Sequence, residues 1–291
     1  MGKVLVTGAM GNVGRYVAQY LISNGQSVVV AGKTLDALKQ RYGDTARAVL
    51  LDFTNQATFA AALSDVDRVF IMRPPHIGDP KVFEHFIDAL KATGNIQLVS
   101  FLSLIGIEHN PIPPHYKIEK YIEKFGLPYC HIRPSFFMQN ISGVHAFEIK
   151  HFDRITIPVK QALTSFIDAE DIGELTASVL SNPSKHQNTA YAITGSQALD
   201  YNEVAEILSA ELGRKITYAN PKPRTAKQYW IEVRGLPKGY CHVMSMLYLM
   251  TRMGTAKKVT TTFETVMAKK PQTFRQFVQK NLAAWQDSGD G

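Results

Sequence analysis

Three glycines in the first fourteen residues constrain this chain more than any other feature. The segment reads VLVTGAMGNVG, with Gly8, Gly11 and Gly14 between an apolar run at 3–7 and a stretch at 14–24 that places Val17, Leu21 and Ile22 at helical spacing. A strand that turns sharply into a helix over a phosphate needs glycine at such positions. Gly8 permits the tight turn. Gly11 removes the Cβ that would keep a diphosphate off the backbone, and Gly14 lets the helix pack on the strand. The amides opening the helix, near Met10, Asn12 and Val13, then point at an anion. A glycine motif in isolation has little specificity. One that follows a strand and opens a helix predicts a dinucleotide-binding turn.

The rest of the first half repeats the strand–helix alternation. Residues 27–31, 46–51, 68–72, 96–102 and 129–133 read as strands, and 81–93 and 116–125 as helices ended by Gly94 and Gly126. Such alternation predicts a parallel sheet covered on both faces, doubly wound by right-handed crossovers. The second half is less regular. Strands are expected at 155–159 and 190–194, and helices from Asp168, over 202–212, 241–253 and 273–285. Residues 220–224 contain two prolines and read as a loop. The expected fold class is α/β: a Rossmann-type doubly wound parallel sheet with a smaller C-terminal α/β lobe. The expected division is a nucleotide-binding domain at 1–135, completed by about 165–195, and a lobe from 136–164 and 196–291.

Composition narrows the function classes. Cys130 and Cys241 lie far apart and give no metal-ligand spacing, so no metal is expected. No apolar run reaches the ~18 residues of a membrane span, and MGKVLVTG enters a strand without a signal-peptide pattern. The chain is expected to be cytoplasmic, with no membrane partner. Net charge is +7 but uneven: 213–280 holds fourteen Lys or Arg against two acids, Glu232 and Glu264. A basic lobe can steer anionic ligands or a protein partner. No nucleic-acid motif accompanies the charge, so nucleic acid is not expected and a solvated basic face is preferred.

The second strand bears on cofactor choice. NAD-binding domains often carry an acid about twenty residues after the glycine turn. This chain reads VVVAGKT there, and Lys33 stands where a 2′-phosphate would lie. NADP is therefore expected over NAD. Asp52 is a candidate acceptor for the adenine amino group and Phe53 for packing on the ring; a helix cap and a core aromatic are the plainer readings, compatible with these roles. Met72, Arg73 and Pro74 end the fourth strand and are expected near the nicotinamide ribose or the diphosphate, because ligands sit outside the carboxyl ends of such strands.

With these segments in register the chain resembles the NmrA-like branch of the atypical short-chain dehydrogenase/reductases. The resemblance is carried by TGAMGNVG, LDFTNQATFAAAL, VSFLSLIG, EKYIEKFGLPYCHIRPSFFMQN and SFIDAEDIGELTASVL, and extends to about residue 220. It implies NADP binding, and either NADPH-dependent reduction of quinones, azo compounds or imines, or a regulator that binds NADP without turnover. Typical short-chain dehydrogenases use a Tyr-x-x-x-Lys pair. Aligned from Glu119, this chain has Pro111 and His115 at those places, and Pro111 has no proton to give. His115 matches a histidine of the quinone-reductase branch and is the candidate to donate a proton or to hold a ribose hydroxyl, since an imidazole can titrate near neutrality; a polar histidine at a helix start is the alternative reading. Ser103 falls near the usual catalytic serine. Pro134 and Phe136 are expected beside the nicotinamide, and Phe137, Asn140, Tyr229 and Trp230 on the substrate side.

The leading expectation is an NADPH-dependent reductase of a small conjugated electrophile. The alternatives are an NADP-sensing regulator with a protein partner on the basic lobe, and a nucleotide-sugar epimerase. The epimerase is weakened by the missing tyrosine. Oligomeric state is not set by the sequence.

Overall fold

The β-branched runs of the first half become the strands of one sheet. The structure, a computed structural model, describes residues 2–286. In chain order the first half runs β1 (Lys3–Thr7), α1 (Gly14–Ser23), β2 (Val28–Gly32), α2 (Leu35–Tyr42), β3 (Arg47–Leu50), α3 (Phe59–Leu63), β4 (Val66–Met72), α4 (Lys81–Ala92), β5 (Leu98–Leu102), α5 (Pro114–Lys124) and β6 (Tyr129–Pro134). Then come α6 (Gln139–Ser142), α7 (Ala146–Phe152), β7 (Arg154–Thr156), α8 (Ala169–Ser181), β8 (Thr189–Ile193) and α9 (Tyr201–Leu212). The chain closes with β9 (Thr217–Ala219), α10 (Pro223–Glu232), α11 (Lys238–Arg252), α12 (Thr262–Met267) and α13 (Phe274–Lys280).

Two compact units result. Among the described residues, the first takes 2–134, 169–193 and 265–268; the second takes 135–168, 194–264 and 269–286. Residues 165–168 belong to the second unit, where Ile167 bridges Phe137 and the Ser165 amide donates to the Ala256 carbonyl at 2.9 Å.

The first unit is a seven-stranded sheet in the order β3-β2-β1-β4-β5-β6-β8, every pair parallel. Strand order reverses between β1 and β4, which opens a crevice at their carboxyl ends. On one face Leu5, Val29, Val69 and Phe101 pack against Phe59, Phe83, Phe86 and Ile118. On the other, α1 meets α8 at Gly173, where a Cβ would stand 2.4 Å from Tyr16 Cβ; only glycine permits that approach. Arg68 is buried inside β4. Its guanidinium donates to Asp67, Gln26 and the carbonyls of Gly2 and Leu180, so the buried charge is paired and hydrogen-bonded.

The second unit has a two-stranded parallel sheet, β7 with β9, and a core built on Ile149, Ile155, Tyr201, Trp230, Phe277 and Trp285. The strand expected over 155–159 ends at Thr156, because Val159 turns back on the Ile157 carbonyl at 3.1 Å. The loop expected at 220–224 gives way to α10 at Pro223. Proline suits that first position, where its missing N–H has no partner to lose. Among the described residues, no helix is long and apolar enough to cross a membrane.

Candidate functional site

The glycine turn is built as a cradle. Gly8 adopts φ +62°, and the Gly11 amide closes the turn on the Gly8 carbonyl at 2.8 Å. A Cβ at Gly14 would stand 2.3 Å from the Gly8 carbonyl oxygen, and one at Gly8 would stand 2.4 Å from Met72 Cε. From behind, the buried Tyr42 hydroxyl donates to the Ala9 carbonyl at 2.7 Å. Helix α1 opens at Val13 with no side-chain cap and no acid in its first turn. The Arg15 amide reaches the Gly11 carbonyl and the Tyr16 and Val17 amides reach Val13, so the amides placed for an anion are those at the entry to the helix, from Asn12 to Gly14. Val13 is buried, while Met10 and Asn12 are exposed at the rim.

Two residues not anticipated from the sequence stand near this turn. Tyr42 is one. Arg15 is the other: it lies in the first turn of α1 over the Tyr16 ring at 4.7 Å and donates from a terminal nitrogen to the Tyr16 hydroxyl at 3.3 Å, while its Nε has no partner. A cation is disfavoured at a helix N-terminus unless an anion offsets it. A first-turn arginine without any acid was the signal available for it.

Lys33 stands directly after β2, but not alone. Its ammonium meets Asp52 Oδ2 at 2.8 Å. Asp52 also accepts from the Thr54 amide and hydroxyl, and these partners, Lys33 first, hold its carboxyl at about 2. Both charges of the expected adenosine end are thus engaged with each other. Phe53 lies in the aromatic core, its ring 4.7 Å from Phe83 and 5.1 Å from Phe86, which is the core-aromatic reading.

At the carboxyl ends of β4 and β5 the backbone is tightly held while side chains are left over. The Met72 amide donates to Thr7 Oγ1 at 2.9 Å. Arg73 folds back on its own loop, donating to the carbonyls of Pro74 and Ile77 at 3.2 and 2.6 Å. Its Nε, Ser103 Oγ and His115 Nδ1 are buried without a protein partner. Buried polar atoms are normally paired, and Arg73 lies close enough to His115 for its charge to act on the imidazole. Pro134 ends β6, its carbonyl accepting from the Ile105 amide at 3.1 Å.

The reading of His115 as a group titrating near neutrality is corrected. Burial, then the nearby Arg73 charge, lowers its pKa to about 3. It is a neutral imidazole at physiological pH, tilted against Phe101 at 6.0 Å.

Phe136, expected beside the nicotinamide, lies in the second unit, where it stacks on Tyr248 at 6.4 Å. The candidates on the substrate side also lie in that unit, and Phe137 bridges Ile167. Asn140 is held through its backbone: its amide donates to the Phe137 carbonyl and its carbonyl accepts from the His145 amide. Tyr229 is partly buried against the core. Trp230 is fully buried beside His145 and Tyr248, at 6.3 and 5.9 Å, which makes it a core residue rather than a substrate contact. Glu119, Glu123 and His131 also converge, with donor atoms within 4.8 Å of one another. Arg133 takes both Glu119 oxygens and Lys120 takes Glu123, so the cluster is an ion-pair network.

A doubly wound sheet with an uncapped first helix over three glycines defines a nicotinamide-dinucleotide-binding α/β protein, and the cradle and the orphaned polar atoms fit such a ligand. The chain belongs to the NmrA-like family, whose family model matches residues 1–278. It is 30% identical over 286 residues to the uncharacterized oxidoreductase YesF of Bacillus subtilis, covering 97% of this chain and 96% of that protein. It is 30% identical over 293 residues to the NAD(P)H azoreductase of Xenophilus azovorans, covering 97% and 99%. In fold it is similar to the NADPH-dependent quinone oxidoreductase of Escherichia coli, solved with NADPH. That likeness has a TM-score of 0.86 at 19% identity, over 96% of this chain and 99% of the other.

Proposed function

We propose that this protein is an NADPH-dependent reductase of a conjugated electrophile, such as a quinone, azo or imine compound. The observation that carries the reading is the cradle at Gly8, Gly11 and Gly14 under the uncapped start of α1. The named azoreductase relative supports the oxidoreductase class.

When bound, the reduced dinucleotide supplies the hydride. The chain supplies binding and position. The opening amides of α1 and Arg15 hold phosphate charge. Lys33 favours the 2′-phosphate of NADP, drawing its ammonium from Asp52. Ser103 and His115 offer hydrogen bonds to a ribose or nicotinamide amide, where their polar atoms are otherwise orphaned.

No tyrosine stands at the proton-donor place, which Pro111 occupies, and His115 is neutral. Substrates that accept hydride readily and take their proton from water suit such a site better than simple ketones do. The test is loss of the reduced-nicotinamide absorbance with a panel of quinones, azo dyes and iminium compounds. Turnover with the panel is expected. Tight NADP binding without any turnover would replace the reductase by a regulator.

A further inference from the structure

The second unit contains a groove that the proposed reductase site does not use. It begins where the chain leaves β7. Lys160 adopts φ +57°, a left-handed conformation unusual for a residue with a side chain. Three bonds impose it. The Lys160 amide donates to Asn220 Oδ1 at 3.0 Å, the Val159 amide to the Tyr218 hydroxyl at 3.3 Å, and that hydroxyl to the Ile157 carbonyl at 2.8 Å. The bend turns the following segment into one wall of an open groove of about 810 Å³, and the end of α11 with its following turn forms another.

The lining is one-sided in charge. Lys160, Arg252 and Lys257 face the groove, and no acid lines it. Some basic residues of this unit have acid partners: Arg214 pairs with Asp153, Arg234 with Glu148, and Arg275 with Glu211. Among the described residues, no acid pairs with Lys160, Arg252 or Lys257. Cations gathered without counter-charge around a concave surface focus a positive field and raise the local concentration of anions. The lining also has an apolar side: Leu163 and Met253 are 41% and 66% exposed. The volume exceeds what one inorganic ion fills and falls in the range of small-molecule sites.

We propose that this groove binds an organic anion, with two or more negative charges on an apolar body. Lys160, Arg252 and Lys257 take the charges, and Leu163 and Met253 take the body. The site is separate from the glycine turn, and its existence does not depend on reductase activity.

Naphthalene disulfonate is a suitable probe, titrated calorimetrically into the full chain with NADP in excess. Saturable one-to-one binding is expected. The double variant R252Q/K257Q should weaken it about tenfold or more, the scale of losing charged hydrogen bonds. K160Q should weaken it independently. Both variants should keep the unfolding temperature and the NADP affinity of the parent, which separates this result from any failure of the dinucleotide site. Absence of saturable binding, or equal affinity in parent and variants, would overturn the proposal. So would inorganic pyrophosphate binding as tightly as the disulfonate, since charge alone would then suffice.

Discussion

Lys33 Nζ and Asp52 Oδ2 meet at 2.8 Å, joining the residue after β2 to the turn after β3. In the proposed site the pair would set the charge met by the adenosine end of a dinucleotide. Lys33 would attract a 2′-phosphate, and Asp52 would both repel one and compete for the lysine. Lys33→Ala should therefore weaken NADP by about tenfold or more while changing NAD much less. Asp52→Asn should act the other way, because it removes the carboxylate charge and keeps an oxygen for the Thr54 amide. Titration of both variants with both dinucleotides checks this; equal loss of NADP and NAD in Lys33→Ala would refute it. The Lys33 side chain is 59% exposed and Asp52 20%, so solvent screens the pair in part, and neither change should move stability by more than about 1 kcal/mol.

The two inner glycines of the turn should fail in different ways. At Gly14 a Cβ would press on the Gly8 carbonyl at 2.3 Å, backbone against backbone, with nothing flexible to yield. Gly14→Ala should lower stability by about 1–3 kcal/mol, as overpacking does, and lose the dinucleotide with it. At Gly11 the nearest atom would be 3.2 Å away, which a small shift accommodates. Gly11→Ala should unfold close to the parent temperature yet bind the dinucleotide about tenfold or more weakly, since its methyl stands where the diphosphate approaches. Thermal unfolding and ligand titration on the same two variants separate these outcomes. A Gly11→Ala protein that binds normally would remove the turn from the binding site.

These contrasts show which parts of the molecule could be read from the chain. The glycine turn and the inner strands were legible because backbone conformation dictates residue type there: glycine at positive φ, β-branched runs where a strand is buried on both faces. The side-chain partnerships were not. Lys33 reads as a free cation until the fold brings Asp52, nineteen residues on, against it. Phe53 and Trp230 are aromatic whether they meet a ligand or the core, and only packing distinguishes the two. The missed start of α10 had a local cause, since Pro223 marks a loop or a first helical position equally well. His115 could be assigned a position but not a charge state, because that depends on burial and on Arg73.

The neutral His115 makes a prediction in pH. With a pKa of about 3, only about one molecule in ten thousand carries the imidazolium at pH 7. The kcat/KM profile should therefore show no His115 inflection near 6.5. His115→Gln, which keeps a hydrogen-bonding side chain, should raise KM more than it lowers kcat. An inflection near 6.5 that vanished in this variant would restore the proton-donor role. Stability carries the same signature. The folded pKa is depressed, so the unfolded chain binds a proton that the folded chain refuses. The contribution is whole above about 6.5 and is lost as pH falls toward 3. Unfolding temperature should decline over that window, and less steeply in His115→Gln.

Arg15 offers the sharpest test of the proposal that the first helix takes an anion. In the unliganded chain its positive charge opposes the dipole of α1, with Nε unpaired and no acid in the first turn to offset it. Arg15→Gln should then leave the unliganded protein as stable as the parent or slightly more so. With phosphate charge in place the sign reverses, and the variant should bind NADP more weakly by about tenfold. Added salt should weaken parent binding more steeply than variant binding, because the exposed part of this attraction is screened. The measurement is a pair of titrations at low and high ionic strength, alongside thermal unfolding with and without NADP. If Arg15→Gln lowered the stability of the unliganded chain and left NADP affinity unchanged, the arginine would serve packing on Tyr16 and not the ligand.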